Sequence, residues 1–266
     1  MADSGRFPAL TADLAGELKR LQGEVRLHPE DGKLRTYLFQ LLTVNGEWQR
    51  ALNQLQVSAQ LAVGAIPMAR TYREAIRCET FRAEVFEGKR TPHILGEPPA
   101  WIGLLVESLE KLAHGHVAAA EALRADAFEQ APATGGTIDG KPFEWIADAD
   151  SRLGPVCEAI VDGKYYWVPF ERLASVKVDA PSDLRDVVWA SAQLEFTTGA
   201  KQIALLPARY PGTESASKDA LRLSRMTEWR KLGPDTYAGT GQRMWATDAG
   251  EFALLDTREI VFTVNA

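Results

Sequence analysis

Apolar residues recur every three or four positions through the first half of the chain. Leu10, Leu14, Leu18, Leu21 and Val25 make one such stripe, the pattern of an amphipathic helix that buries a single face. Thr11 or Asp13 is placed to cap its start, and Pro29 and Gly32 punctuate its end. The same period predicts helices over 31–44, 48–61, from Pro67 to Phe86, over 99–113 and over 117–130. After Pro132 the texture changes to short apolar runs separated by turn residues. Asp139-Gly140 sits inside a short hairpin over 138–145. Asp162-Gly163 joins runs 156–161 and 164–168, and an Asp-Gly pair suits a type I′ turn. Further strands are expected over 174–178, 187–196 and 202–206, and the last three runs, 243–247, 251–255 and 259–264, read as a closing meander.

The helical part contains an echo. Gly46-x-Trp48-x-x-Ala51 returns as Gly115-x-Val117-x-x-Ala120, 69 positions later, about twice the ~34-residue tetratricopeptide period. Pro29 and Pro98 share that offset, and the second copy continues to Ala127 and Pro132. Small residues let antiparallel helices approach closely, glycine turns the chain between them, and proline stops the last one. The fold class is therefore α+β. Residues 1–132 read as a tetratricopeptide-like all-α helical repeat domain, and residues 133–266 as a β-rich C-terminal domain.

Composition adds exclusions. Hydrophobic residues at 45% and charged residues at 25% are globular values, so a packed core is expected. The net charge of -6 weighs against a nucleic-acid partner. Two distant cysteines, Cys78 and Cys157, build neither a disulfide framework nor a metal site and read as buried small hydrophobes. No secretory signal or spanning stretch is visible, which makes the cytoplasm the expected compartment and a membrane an unexpected partner.

Residues with chemical potential are few. The four histidines all lie before residue 117, none at zincin spacing, and neither a Walker A motif nor a GxSxG elbow is present. No cofactor or metal is expected. The most enzyme-like segment is Asp148-Ala149-Asp150-Ser151-Arg152, a carboxylate pair beside an arginine. Its plainer reading is a turn in which Arg152 pairs with one aspartate and backbone N–H groups satisfy the other. Glu79 falls inside an apolar helical stripe, where an unpaired carboxylate is expensive, so a salt bridge to an arginine such as Arg35 is expected. On the opposite side of that helix Arg70, Arg73 and Arg77 share one face. Helical repeats present grooves for peptides or partner helices, so these arginines, with Arg35 and Phe39, are candidate partner contacts. A merely solvated helix face is the plainer reading of the arginine stripe. An enzyme using Asp148, Asp150 and Arg152, and a general co-chaperone of unassembled subunits, are the competing functions.

Long collinear strings carry a family resemblance. LFQLLTVNGEWQRALNQL (38–55), YREAIRCETFRAEVFEGKRTP (72–92), GTIDGKPFEWIADADSRLGPV (136–156), GKYYWVPFERL (163–173), DLRDVVW (183–189) and ARYPG (208–212) make the chain resemble the ImpE/TagJ family of bacterial type VI secretion accessory proteins. The resemblance runs from about Leu10 to the end. It implies a tetratricopeptide-like domain joined to a distinct C-terminal domain, without catalysis, in the cytoplasm beside a contractile sheath. It also implies a partner, the N-terminal helix of the small sheath subunit (TssB-like), and an influence on sheath assembly or on its disassembly by an AAA+ ATPase.

Overall fold

Asp13 opens the first helix: its carboxylate accepts the Gly16 N–H at 2.8 Å, satisfying one of the orphan donors of the first turn. The computed structural model describes residues 13–263, so Leu10 and Thr11 lie outside the described residues. Six helices follow the apolar periodicity: α1 (Leu14–Leu27), α2 (Gly32–Val44), α3 (Trp48–Leu61), α4 (Ile66–Phe86), α5 (Ala100–Ala113) and α6 (Val117–Gln130). Asp31 caps α2 by accepting from Lys33 and Leu34 N–H. The two copies of the glycine motif form equivalent helical hairpins, α2–α3 and α5–α6. Gly46 and Gly115 both adopt φ near the left-handed region, +70° and +81°, and Ala51 and Ala120 are fully buried where the paired helices touch. Among the described residues no helix is long and apolar enough to cross a membrane.

The second half supplies nearly all the strands. Numbered in chain order, a nine-stranded sheet runs β1 (His93–Ile94), β6 (Lys164–Pro169), β5 (Val156–Val161), β9 (Lys201–Pro207), β8 (Trp189–Phe196), β7 (Leu173–Val178), β14 (Glu259–Phe262), β2 (Gly136–Ile138) and β3 (Lys141–Phe143). Its neighbours are antiparallel except β1, which joins β6 in parallel. Asp162 and Gly163 take φ of +47° and +73°, and Val161 pairs with Lys164, the two-residue type I′ hairpin expected of Asp-Gly. Asp139 and Gly140 repeat this between β2 and β3.

The closing meander expected from the sequence does not form. β12 (Met244–Thr247) and β13 (Gly250–Ala253) pair with each other and with β4 (Ile146–Asp148) in a separate three-stranded sheet. β14 instead crosses into the large sheet between β7 and β2. A further hairpin, β10 (Thr227–Lys231) with β11 (Tyr237–Gly241), lies in a stretch that shows no clear pattern.

Side-chain alternation gives the large sheet two apolar faces. On β5 and β6, Val156, Ile160, Tyr165 and Trp167 join the helices in one core. Cys157, Ala159, Val161 and Val168 point the other way, into a second core closed by Trp245 and Leu254. All of β5 is buried, which explains why its sequence is a continuous apolar run broken only by Glu158. The helical repeat is thus covered on its inner side by its own chain. Trp189 lies against Trp48 and Tyr72, with ring centroids 6.0 and 5.7 Å apart, and the 3-10 turn Leu184–Val187 contributes to the same core.

Candidate functional site

Helix α4 separates two kinds of charge. Its buried side carries Tyr72, Ala75, Ile76, Cys78, Arg82 and Val85 against the sheet. Its outer side exposes Arg70, Arg73 and Arg77. Glu74 accepts from Arg77 Nη1 at 3.0 Å, whereas Arg70 and Arg73 have no ion-pair partner among the described residues. Arg35 is turned away from this helix: its Nε donates to Pro29 O at 2.6 Å and its Nη1 to Gln54 Oε1 at 3.0 Å, tying the α1–α2 turn to α3. Phe39 is corrected as a partner contact. It is fully buried against Tyr72, with centroids 5.7 Å apart, because the chain's own second half occupies the inner face of the repeat.

Two hollows flank the exposed face of α4. One, of about 500 Å³, is lined by Trp48, Arg50, Leu52, Ile76 and Arg77. The other, of about 790 Å³, lies between the start of α4 and the sheet, lined by Met68, Arg70, Tyr72, Ile160, Ile203 and Leu205 among others. Arg185 sits at its edge with its guanidinium 4.8 Å from the Tyr72 ring centre and 3.0 Å from Asp183.

Behind α4 lies a buried ionic network that sequence reasoning did not assemble. Glu79 pairs with Arg82 at 3.3 Å, not with Arg35, and accepts the Trp189 Nε1–H at 2.9 Å. Arg82 also forks onto Glu158, at 2.7 and 2.9 Å, and donates to Arg209 O. Glu158 additionally accepts the Tyr165 hydroxyl and faces Arg243, while Trp167 Nε1 donates to that hydroxyl at 2.8 Å. Helical spacing places Glu79 one turn before Arg82, and a lone glutamate in an apolar strand run is a signal for a buried pair. Arg243 has no comparable local signature.

Asp148, Asp150 and Arg152 join the edge of this network. Asp150 is fully buried; Arg152 grips it at 2.8 and 2.6 Å, and Gly239 N–H donates to it at 2.9 Å. Asp148 Oδ1 accepts the Asp150 N–H at 2.8 Å, and its Oδ2 lies 3.4 Å from Arg243 Nε. Burial pushes the Asp148 carboxyl up to about 6, with Arg243 opposing the shift and Asp150 adding to it. Burial likewise lowers Arg243 to about 10 and raises the Cys78 and Cys157 thiols to about 12. Each of these acids is engaged by an arginine or a backbone N–H in a desolvated setting, an arrangement suited to holding elements together. Among the described residues no group of three His, Cys, Asp or Glu side chains is placed to hold a metal ion.

The chain matches the family model described as ImpE protein over residues 140–261. It is 53% identical over 245 residues to the Pseudomonas aeruginosa protein described as type VI secretion system accessory component TagJ, an alignment covering 92% of this chain and 86% of that protein. A crystal structure of a Vibrio parahaemolyticus protein has the same fold, with a TM-score of 0.85 at 22% identity, over 95% of this chain and 94% of that one.

Proposed function

From a chain that belongs to the ImpE/TagJ family of type VI secretion accessory components, we propose a non-catalytic adaptor that binds the N-terminal helix of the small sheath subunit through the outer side of its helical half. The observation that carries this reading is the pair Arg70 and Arg73, exposed on α4 without an acidic partner among the described residues. Exposed arginines that form no intramolecular pair are free to fix the orientation of an acidic partner. The inner face of the repeat is filled by Trp189 and its neighbours, so the partner docks outside it. By holding that helix in the cytoplasm the protein tunes sheath assembly, or the access of the AAA+ ATPase that disassembles it.

The non-catalytic reading is supported by the fate of the carboxylates: Asp148, Asp150, Glu79 and Glu158 are largely enclosed and each is ion-paired with an arginine. Isothermal titration with a synthetic peptide of the sheath-subunit helix tests the proposal. Wild-type protein saturates, and Arg70→Glu/Arg73→Glu binds at least tenfold more weakly with an unchanged melting temperature. Absence of wild-type binding, or equal binding to unrelated unfolded clients as a general co-chaperone would show, overturns it.

A further inference from the structure

The β10–β11 hairpin stands apart from the two larger sheets, and its two edges have different fates. In an antiparallel ladder, residues alternate between those whose N–H and C=O bond the neighbouring strand and those whose groups face away. Gln242 N–H donates to Met226 O at 3.0 Å and Leu232 N–H to Thr236 O at 2.8 Å. These end bonds set the phase of the ladder: Glu228 and Arg230 bond inward, while Thr227, Trp229 and Lys231 face outward. On β11 the same phase turns Tyr237, Gly239 and Gly241 outward, and that edge is taken. Ser151 N–H donates to Tyr237 O at 3.1 Å, Gly239 N–H to Asp150 Oδ2 at 2.9 Å and Gly241 N–H to Thr213 Oγ1 at 2.9 Å. No described residue takes the outward backbone groups of β10. The hairpin is nevertheless held in place, because Glu121 of α6 anchors its tip at Asp235 N–H and the Thr236 hydroxyl.

A free strand edge is ordinarily blunted by shortness, a proline or a bulge. β1 is two residues long, and β3 carries Pro142 at its centre. β10 has five residues in unbroken register and no proline. Trp229 stacks on Tyr210 with centroids 5.5 Å apart, yet it stays 39% exposed. The strand Thr227-Glu228-Trp229-Arg230-Lys231 is also complementary to itself when read antiparallel. About a two-fold axis at Trp229, Thr227 meets Lys231 of the second copy and Trp229 meets its own counterpart, so every outward-facing residue exchanges both its backbone bonds. The same register sets Glu228 opposite Arg230 on either side of the axis, a favourable cross-strand pair. Moving the axis to Glu228 or to Arg230 leaves one outward residue without a counterpart and brings two glutamates or two arginines directly opposite, which is unfavourable. Arg230 has no ion-pair partner among the described residues, and Glu228 meets Lys218 at 2.5 Å on the exposed surface. We propose that two copies of this chain associate through β10, paired antiparallel and centred on Trp229, so that the two hairpins make one continuous four-stranded sheet. The pairing goes beyond the adaptor reading and does not depend on it.

Sedimentation velocity of the full chain at rising concentration tests the pairing. Wild type is expected to shift reversibly toward twice the monomer mass. Glu228→Arg and Arg230→Glu each set like charges opposite one another when the variant pairs with itself, and each is expected to weaken association at least tenfold at an unchanged melting temperature. Mixed in equal amounts, the two variants restore both opposite-charge pairs, so the mixture is expected to associate within threefold of wild type. Trp229→Pro removes an N–H that points away from β11, so it blocks the edge while the hairpin ladder keeps its bonds, and it is expected to be monomeric. A wild type that stays monomeric up to millimolar concentration leaves this edge to a strand of some other protein and overturns the proposal. A dimer that survives both the single charge reversals and Trp229→Pro forms through another surface and overturns it too. A mixture no more associated than its components rules out the two-fold register. None of these outcomes touches binding of the sheath-subunit peptide, so the adaptor reading is judged separately.

Discussion

Glu158 sits mid-strand with none of its surface exposed, yet both its carboxylate oxygens are engaged by arginines. Removing each ion from water costs several kcal/mol, so such a network adds little net stability while heavily penalising any arrangement that breaks it. Its effect is to fix the register of α4 on the sheet. Asp148 is the member whose protonation is most open to measurement, because burial raises its pKa to about 6 from 3.8, against the pull of Arg243 and with Asp150 and Tyr210 close by. The folded state then binds its proton more readily than the unfolded chain between about pH 4 and 6, so this group's contribution to stability rises as pH falls through that window and is lost above it. Urea denaturation of wild type and Asp148→Asn is expected to show wild type gaining on the variant by roughly 2 kcal/mol between pH 7 and pH 4. A pH-independent difference would assign Asp148 an ordinary acidity.

At the scale of elements, helix ends are closed by residues far away in sequence. Asp219, in the short helix α7 (Asp219–Arg222), accepts the Leu14 N–H of α1 at 2.8 Å. Arg209 donates to Val44 O at 2.8 Å and Thr43 O at 3.3 Å, closing the C-terminus of α2. Side chains within helices also hold distant loops: Glu121 of α6 accepts from Asp235 N–H and the Thr236 hydroxyl. Replacing Asp219 with alanine removes one such cap, and a loss of about 1 kcal/mol in denaturant unfolding is expected, the usual size of an N-terminal cap. An unchanged midpoint would mean that Asp13 alone closes the helix. Helices were legible because 3.6-residue periodicity is a local property. The meander was misread because strand partners are chosen by the whole sheet: β12 finds β4 in the middle of the chain and β14 finds β7 and β2.

For the whole molecule, one apolar core joins the helices to the sheet: Leu14, Phe39 and Tyr72 belong to the same cluster as Trp167, Trp189 and Leu205. The change of texture near Pro132 is therefore expected to mark a change of secondary structure rather than a boundary between independently folding units. Full-length protein should unfold in one transition, coincident by far- and near-UV circular dichroism. A fragment of residues 13–132 should lack a cooperative transition, since the inner face of its helices loses its cover. A fragment that melts sharply on its own would refute this.

By itself the sequence determined the helices, the two glycine-turned hairpins, the Asp-Gly strand turns and the family, because each is carried by neighbouring residues. The arginine stripe on α4 was equally visible, since helical spacing alone puts Arg70, Arg73 and Arg77 together. Only the tertiary structure decided which of the marked residues are available. Phe39 vanished into the core because Trp189, 150 positions later, packs beside it around Tyr72. Glu79 took Arg82 in place of Arg35, and Glu158, Arg209 and Arg243 emerged as the centre of the molecule. The cleft beside Arg70 exists only because helices and sheet meet with Ile203 left outside. Local periodicity fixes which side of an element is apolar; what covers that side is set by long-range packing, which no local pattern encodes.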